Sequence, residues 1–250
     1  MMAAGILLIA NSGVLQGQQD ELANRINNAY YNVKRAGLNE LRCRISPNWK
    51  LTAGSISADV AGEEILNLLE HTRFDVAVGP DGSSTISRQI DTVPSSEQVA
   101  ARFRTTLTGF EQVLTSFFQL WSQFTFHPIV PIGDKESVLE QLKGEYRIRQ
   151  KSGQIEASMS INSGLKITED KIVTQGKELI IRLDFGQYSG LYLFKGYEMA
   201  IPVGANSIHT IGTVEYQEVQ GFELPSTVRM MVGTTMFAFD IGSYEIKKRN

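Results

Sequence analysis

Apolar positions along the chain change period near residue 145. Upstream they recur mostly at steps of three and four, and downstream they alternate. Over residues 18–35, Leu22, Ile26, Ala29, Tyr30 and Val33 mark an amphipathic helix that Gly37 stops. Residues 38–46 alternate as a strand ending at Pro47, with Leu41, Cys43 and Ile45 on one face. A second helix is predicted over residues 57–71 through Val60, Ile65, Leu68 and Leu69. Residues 73–78 and 84–90 flank the turn dipeptide Asp81-Gly82 and predict a hairpin.

The most informative segment runs from Ser96 to Phe124. Ser95 and Ser96 offer N-caps and Glu97 an acidic first turn. Val99, Phe103, Leu107, Phe110, Leu114, Phe117, Trp121 and Phe124 follow at steps of 4, 4, 3, 4, 3, 4 and 3, one continuous helical stripe. Val113, Phe118 and Leu120 widen it. At roughly 1.5–3 kcal/mol per buried large apolar side chain, the stripe is worth on the order of 12–24 kcal/mol of gross burial, so it cannot lie open in water. It fits either a central core helix or a helix lining a cavity for an apolar ligand.

From Tyr146 onward, strand-like runs occupy residues 145–149, 155–161, 165–174, 178–185, 191–201, 208–218, 224–232 and 236–246. The Gly, Asn, Asp and Pro links between them are too short for crossover helices, so the strands are expected to form an antiparallel meander and the whole an α+β fold. Some strands are apolar on both faces. Leu191, Leu193, Tyr197 and Met199 oppose Tyr192, Phe194 and Ala200, and Phe237, Phe239 and Ile241 oppose Met236, Ala238, Tyr244 and Ile246. An antiparallel sheet usually keeps one solvated face, so the second apolar face predicts a cover or a cavity.

Charge narrows the function classes. The 24 Lys and Arg against 27 Asp and Glu give a net charge of -3, and the halves are similar: 10 basic and 12 acidic groups in residues 1–125, 14 and 15 in residues 126–250. No basic footprint for nucleic acid results. The single cysteine, Cys43, excludes an intrachain disulfide framework and reads as a small core residue. His71, His127 and His209 lie far apart without a second ligand at metal spacing, and no nucleophile elbow, phosphate loop or dinucleotide fingerprint occurs. Neither an enzyme nor a cofactor is expected.

Residues 1–19 carry no charge, and Ile6-Leu7-Leu8-Ile9-Ala10 is a short apolar run. This predicts a secretory signal peptide over residues 1–17, lacking the usual basic start, with a packed N-terminal segment as the alternative. The apolar stretch is about 13 residues against the roughly 20 of a membrane helix, so no stable membrane span is expected.

A resemblance rests on Tyr216-Gln217-Glu218-Val219-Gln220-Gly221-Phe222-Glu223-Leu224-Pro225-Ser226-Thr227-Val228-Arg229. This hairpin resembles the Y-x-x-V-x-G-x-x-L-P-x-x-V-R pattern of LolA-like proteins, the outer-membrane lipoprotein carrier and sorting group. A shorter echo lies upstream, in Tyr30-Tyr31 on a helix before Gly37-Leu38. The aromatic-rich stretch Phe117 to Phe126 and His127-Pro128-Ile129-Val130-Pro131 match no carrier motif, so the chain is more similar to uncharacterised bacterial members. The resemblance implies a strongly curved antiparallel sheet, an open half-barrel, with helices, one long, covering its concave face in a single domain over residues 18–250. It implies a periplasmic or secreted carrier or binding protein for a lipid or an acylated protein. An acyl chain of about 14–16 methylenes, at roughly 0.8 kcal/mol each, needs such a cavity to cross water. The lining expected is Phe103, Leu107, Phe110, Leu114, Phe117 and Trp121 from the long helix, with Tyr192, Phe194, Tyr216, Phe237 and Phe239 from the sheet. The alternative is an envelope protein–protein interaction or sensor module of the same fold with a filled core.

Overall fold

The structure is a computed structural model that describes residues 19–52, 60–131, 137–203 and 206–249. The predicted signal peptide over residues 1–17, and residues 57–59 of the predicted second helix, lie outside the described residues. In chain order the first elements are α1 (residues 19–28), β1 (Leu38–Pro47), α2 (Trp49–Thr52), α3 (Val60–Glu70), β2 (Thr72–Val78), β3 (Ser84–Ile90) and α4 (Glu97–Thr125). Nine strands follow: β4 (Ser137–Leu142), β5 (Glu145–Ser152), β6 (Ile155–Asn162), β7 (Ile167–Thr174), β8 (Lys177–Tyr188), β9 (Leu191–Val203), β10 (Asn206–Val219), β11 (Phe222–Val232) and β12 (Thr235–Lys248).

The fold is α+β, and its twelve strands follow one hydrogen-bonded order, β3-β2-β1-β12-β11-β10-β9-β8-β7-β6-β5-β4. The order is open rather than closed into a barrel, because β3 and β4 each have a single neighbour. The described residues fall into two compact units, those within Met1–Tyr31 and Pro128–Leu193, and those within Asn32–His127 and Phe194–Asn250.

In the first unit the neighbouring pairs from β4 to β8 are all antiparallel. Its buried side chains include Ala23 and Ile26 of α1 and Ile148, Ile161, Ile181 and Phe185 of the strands. Asn27 fastens the far end of the unit: its side-chain amide donates to the Val130 carbonyl at 3.0 Å and accepts from the Val130 N–H at 2.8 Å. Helix α1 stops at residue 28, short of the predicted 35, because the backbone switches partner. Tyr192 N–H donates to Ala29 O at 2.7 Å and Tyr31 N–H to Tyr192 O at 2.8 Å, a parallel bridge that a continuing helix would forfeit. Tyr30 then hydrogen-bonds Leu165 O at 2.9 Å and packs edge-on to Phe185 at 5.1 Å.

In the second unit the pairs along β3-β2-β1-β12-β11-β10-β9 are also antiparallel. Helix α4 begins where the sequence predicts: Ser96 is the N-cap, and its hydroxyl accepts from Val99 N–H at 3.3 Å. Its whole apolar stripe is buried. Phe110 sits at the centre, with ring centroids 4.8 Å from Trp49, 5.2 Å from Phe74 and 5.8 Å from Phe239. The predicted Asp81-Gly82 turn docks on the helix end, where Ser122 Oγ donates to Gly82 O at 2.6 Å. Gly82 is required there, since its φ is +78° and a Cβ would lie 2.3 Å from Ser122 Oγ.

Each strand read from the sequence is present within a few residues of its predicted ends; β4, whose Ser-Val-Leu-Glu-Gln-Leu alternates weakly, is the one missed. Phe110→Ala is expected to cost about 3–5 kcal/mol and Ser96→Ala about 1 kcal/mol in urea unfolding, the first by a core cavity and the second by an uncapped helix start.

Candidate functional site

The site is the layer between α4 and the sheet of the second unit. Strand register defines the sheet's side of it. Tyr197, Gly212, Met230 and Phe237 form one cross-strand row, and Val214, Val228 and Phe239 the next. Further along, Ile241 pairs with Ile45 and Ile45 with Phe74. The tight point of this surface is Gly212, where an added Cβ would come within 2.6 Å of the Tyr197 ring.

The structure brings ten of the eleven predicted lining residues into this unit. Phe103, Leu107, Phe110, Leu114, Phe117 and Trp121 are each at most 3% exposed. Phe239 lies under both Phe110 and Phe117, at 5.8 Å from each ring, and Phe237 is half-buried one row away. Phe194 stacks on Phe124 at 5.4 Å with the rings 17° apart. Tyr216 is half-buried, with Lys195 Nζ 4.6 Å above its ring. Tyr192 is in the first unit, where its hydroxyl donates to Gly164 O at 2.9 Å and its ring lies 5.3 Å from Tyr30.

Sequence reasoning missed several partners of the stripe. Trp49 arrives on the four-residue helix α2, too short for a periodic signal. Phe74 was visible only as a strand residue, Phe118 as a widening of the stripe, and Phe126 as part of an unmatched aromatic run. Tyr197 and Met230 meet Phe237 only through register, which no local pattern carries.

The layer is filled by rings. Phe118 is 5.1 Å from Phe117 and 6.2 Å from Trp121, and Phe126 is 5.6 Å from Trp121. Buried side-chain atoms without a hydrogen-bond partner among the described residues include Trp121 Nε1 of the stripe and Thr210 Oγ1 of β10. Thr210 is 2% exposed, two residues from Gly212 and therefore on the same face. Leaving such a group unmet costs about 1–3 kcal/mol.

The opposite face of the same sheet is polar around β1, β2 and β3, whereas Ile211, Met231 and Met236 form an apolar row on it, with Ile211 and Met236 exposed. An open groove of about 490 Å³ is lined by Arg42, Arg44, Asp75, Thr85, Ser87 and Glu245 among others, with Arg44 and Asp75 paired at 3.2 Å. Its charges nearly balance, and it suits no apolar ligand. Beneath it Cys43 is buried, as its alternation predicts, and burial pushes the thiol pKa up to about 12, which keeps it protonated and unreactive. Among the described residues no group of three or more His, Cys, Asp or Glu is placed to hold a metal ion, and no helix is long and apolar enough to cross a membrane. Comparison with family models, curated proteins and solved structures gives no match to the chain.

The first unit holds a buried acid that the sequence did not reveal. Asp170 lies in register between Met159 and Ile181, is 8% exposed, and accepts a hydrogen bond from the Lys171 backbone N–H. Burial raises its pKa from 3.8 to about 6. A raised carboxyl pKa means that the folded chain holds the proton more tightly than the unfolded one. Its contribution favours folding below pH 3.8 and is lost as the pH rises through about 6. Asp170→Asn is expected to gain up to ~3 kcal/mol over the wild type at pH 8 and nothing below pH 3.8, read from urea midpoints across that range.

Proposed function

We propose that the chain is a non-enzymatic, LolA-like binding protein of the cell envelope that sequesters the acyl chain of a lipid or lipid-modified protein between α4 and the sheet. In this reading residues 18–250 act as one domain, the sheet is a curved half-barrel, residues 1–17 direct export, and no cofactor takes part. The observation that carries it is the α4 stripe: eight large apolar side chains in one line, all buried against a sheet face that is itself apolar. Such contacts are non-directional and indifferent to chemical detail, so an acyl chain replaces them at little net cost once the helix lifts. Rest is then a closed state, with the protein's own rings standing where cargo goes.

One observation favours the second reading, an envelope interaction or sensor module with a permanently filled core. The predicted lining residues of α4 are packed against other rings rather than facing an apolar void. The two readings separate on cargo. The carrier reading expects acyl lipid in stoichiometric amount when protein purified from its envelope is extracted with solvent and analysed by mass spectrometry, and uptake of a fluorescent acyl lipid by stripped protein. A clean extract together with no uptake selects the interaction module. Cell fractionation tests export separately: a product kept in the cytoplasm at full length removes the envelope from both readings.

A further inference from the structure

We infer that β4 is the pairing edge of a symmetric homodimer, in which two copies of the chain join β4 to β4 antiparallel about a two-fold axis at Glu140. The inference is independent of what the α4 layer holds. β4 has β5 as its one neighbour in the sheet, and its six residues pair with β5 without a register shift, from Ser137↔Gln150 to Leu142↔Glu145. An edge of this kind carries a row of N–H and C=O groups turned away from the sheet. Monomeric proteins often blunt such rows with lysine, proline or a bulge, and Ser-Val-Leu-Glu-Gln-Leu has none of these. The two-residue turn Lys143-Gly144 makes Leu142 and Glu145 the closing hydrogen-bonded pair, so alternation turns the backbone groups of Leu139 and Gln141 outward. Gln19 marks this direction, because its side-chain amide reaches Leu139 O at 3.5 Å, the outer limit of a hydrogen bond.

The side chains select the occupant. Val138, Glu140 and Leu142 share one face, and beside them on β5 stand Arg149, Arg147 and Glu145. Against these charged neighbours Val138 is 50% and Leu142 41% exposed. The two lie on either side of Glu140 at equal spacing. A two-fold axis at Glu140 therefore sets Val138 of each copy opposite the second copy's Leu142 and covers all four apolar side chains. The same register lets Leu139 and Gln141 exchange ladder hydrogen bonds with the second copy's Gln141 and Leu139. It also brings Glu140 against its own counterpart, and the sheet offsets that charge. Arg147 is the cross-strand neighbour of Glu140, and Arg149 Nη2 lies 3.4 Å from its carboxylate. Moving the axis to Leu139 or Gln141 would set Glu140 against Val138 or Leu142 and lose the apolar pairs, and an axis between residues would pair opposite faces. A foreign strand would meet the same backbone row, but a second copy necessarily offers Val138 and Leu142 at the matching spacing.

Sedimentation velocity of the full chain, over a dilution series from micromolar to submillimolar, reads the association. A reversible dimer is expected. Val138→Lys combined with Leu142→Lys is expected to weaken it roughly 10-fold or more while leaving the circular dichroism of the monomer unchanged. Glu140→Cys tests the register. Facing Cα atoms of a non-hydrogen-bonded pair lie about 4.5 Å apart, within disulfide reach, so mild oxidation is expected to link two copies of this variant. The cysteines of Gln141→Cys would be offset by roughly 7 Å along the strands and are expected to stay unlinked, and the native Cys43 is buried. A chain that stays monomeric throughout the series overturns the inference and leaves the edge to a foreign strand. A dimer that the two lysines leave intact, or a Glu140→Cys chain that links no more readily than Gln141→Cys, overturns it as well.

Discussion

The rest of the second unit depends on the apolar contact between α4 and the sheet. A 29-residue helix with Thr105, Thr106, Thr108, Gly109 and Thr115 in its body has modest intrinsic propensity, and its stability must come from the face it buries. The sheet needs the contact equally. Phe74, Ile45, Phe239, Val228, Val214 and Tyr197 are consecutive strands' contributions to one apolar surface, and without α4 that surface faces water. Helix and sheet thus stabilise each other through one layer of side chains, whereas the strands hold together through directional backbone ladders.

That difference in bonding is the physical basis of the functional reading. The ladder cannot be opened without leaving N–H and C=O groups unmet, whereas the helix layer exchanges one hydrocarbon partner for another. Polar ties hold α4 near its ends and at its surface: the Ser96 cap, Ser122 to Gly82 and the Arg88–Glu111 pair at 2.9 Å. Between them the buried stripe is apolar except at Trp121. A helix fixed at its ends and held by grease along its length is suited to admit an apolar guest without unfolding the sheet. The first unit is built differently, with tyrosine and asparagine side chains bonded to backbone at Leu165 and Val130, and with a buried acid rather than a greasy stripe.

Much of this was legible in the sequence because it is written in local period. The α4 stripe, its Ser96 cap, the Asp81-Gly82 turn and the alternating strands are all short-range patterns, and the structure contains each of them. What stayed illegible depends on partners distant in the chain. Register decides that Tyr197 and Met230 share a face with Phe237, and a parallel bridge to Tyr192, rather than any breaker residue, ends α1. Trp49 on a single helical turn and Asp170 in an ordinary-looking strand gave no local sign of their burial. The candidate residues could thus be chosen by period, but the unmet indole donor of Trp121 became visible only once its packing was assembled.

The central claim is that α4 separates from an intact sheet and recloses over an acyl chain. Native-state amide hydrogen exchange, followed by residue with and without a saturating acyl ester, tests it most directly. The account predicts that α4 amides exchange through an opening smaller than global unfolding, faster than those of β1, β11 and β12, and that the ester slows them selectively. Exchange of α4 only through global unfolding, unchanged by the ester, would contradict it.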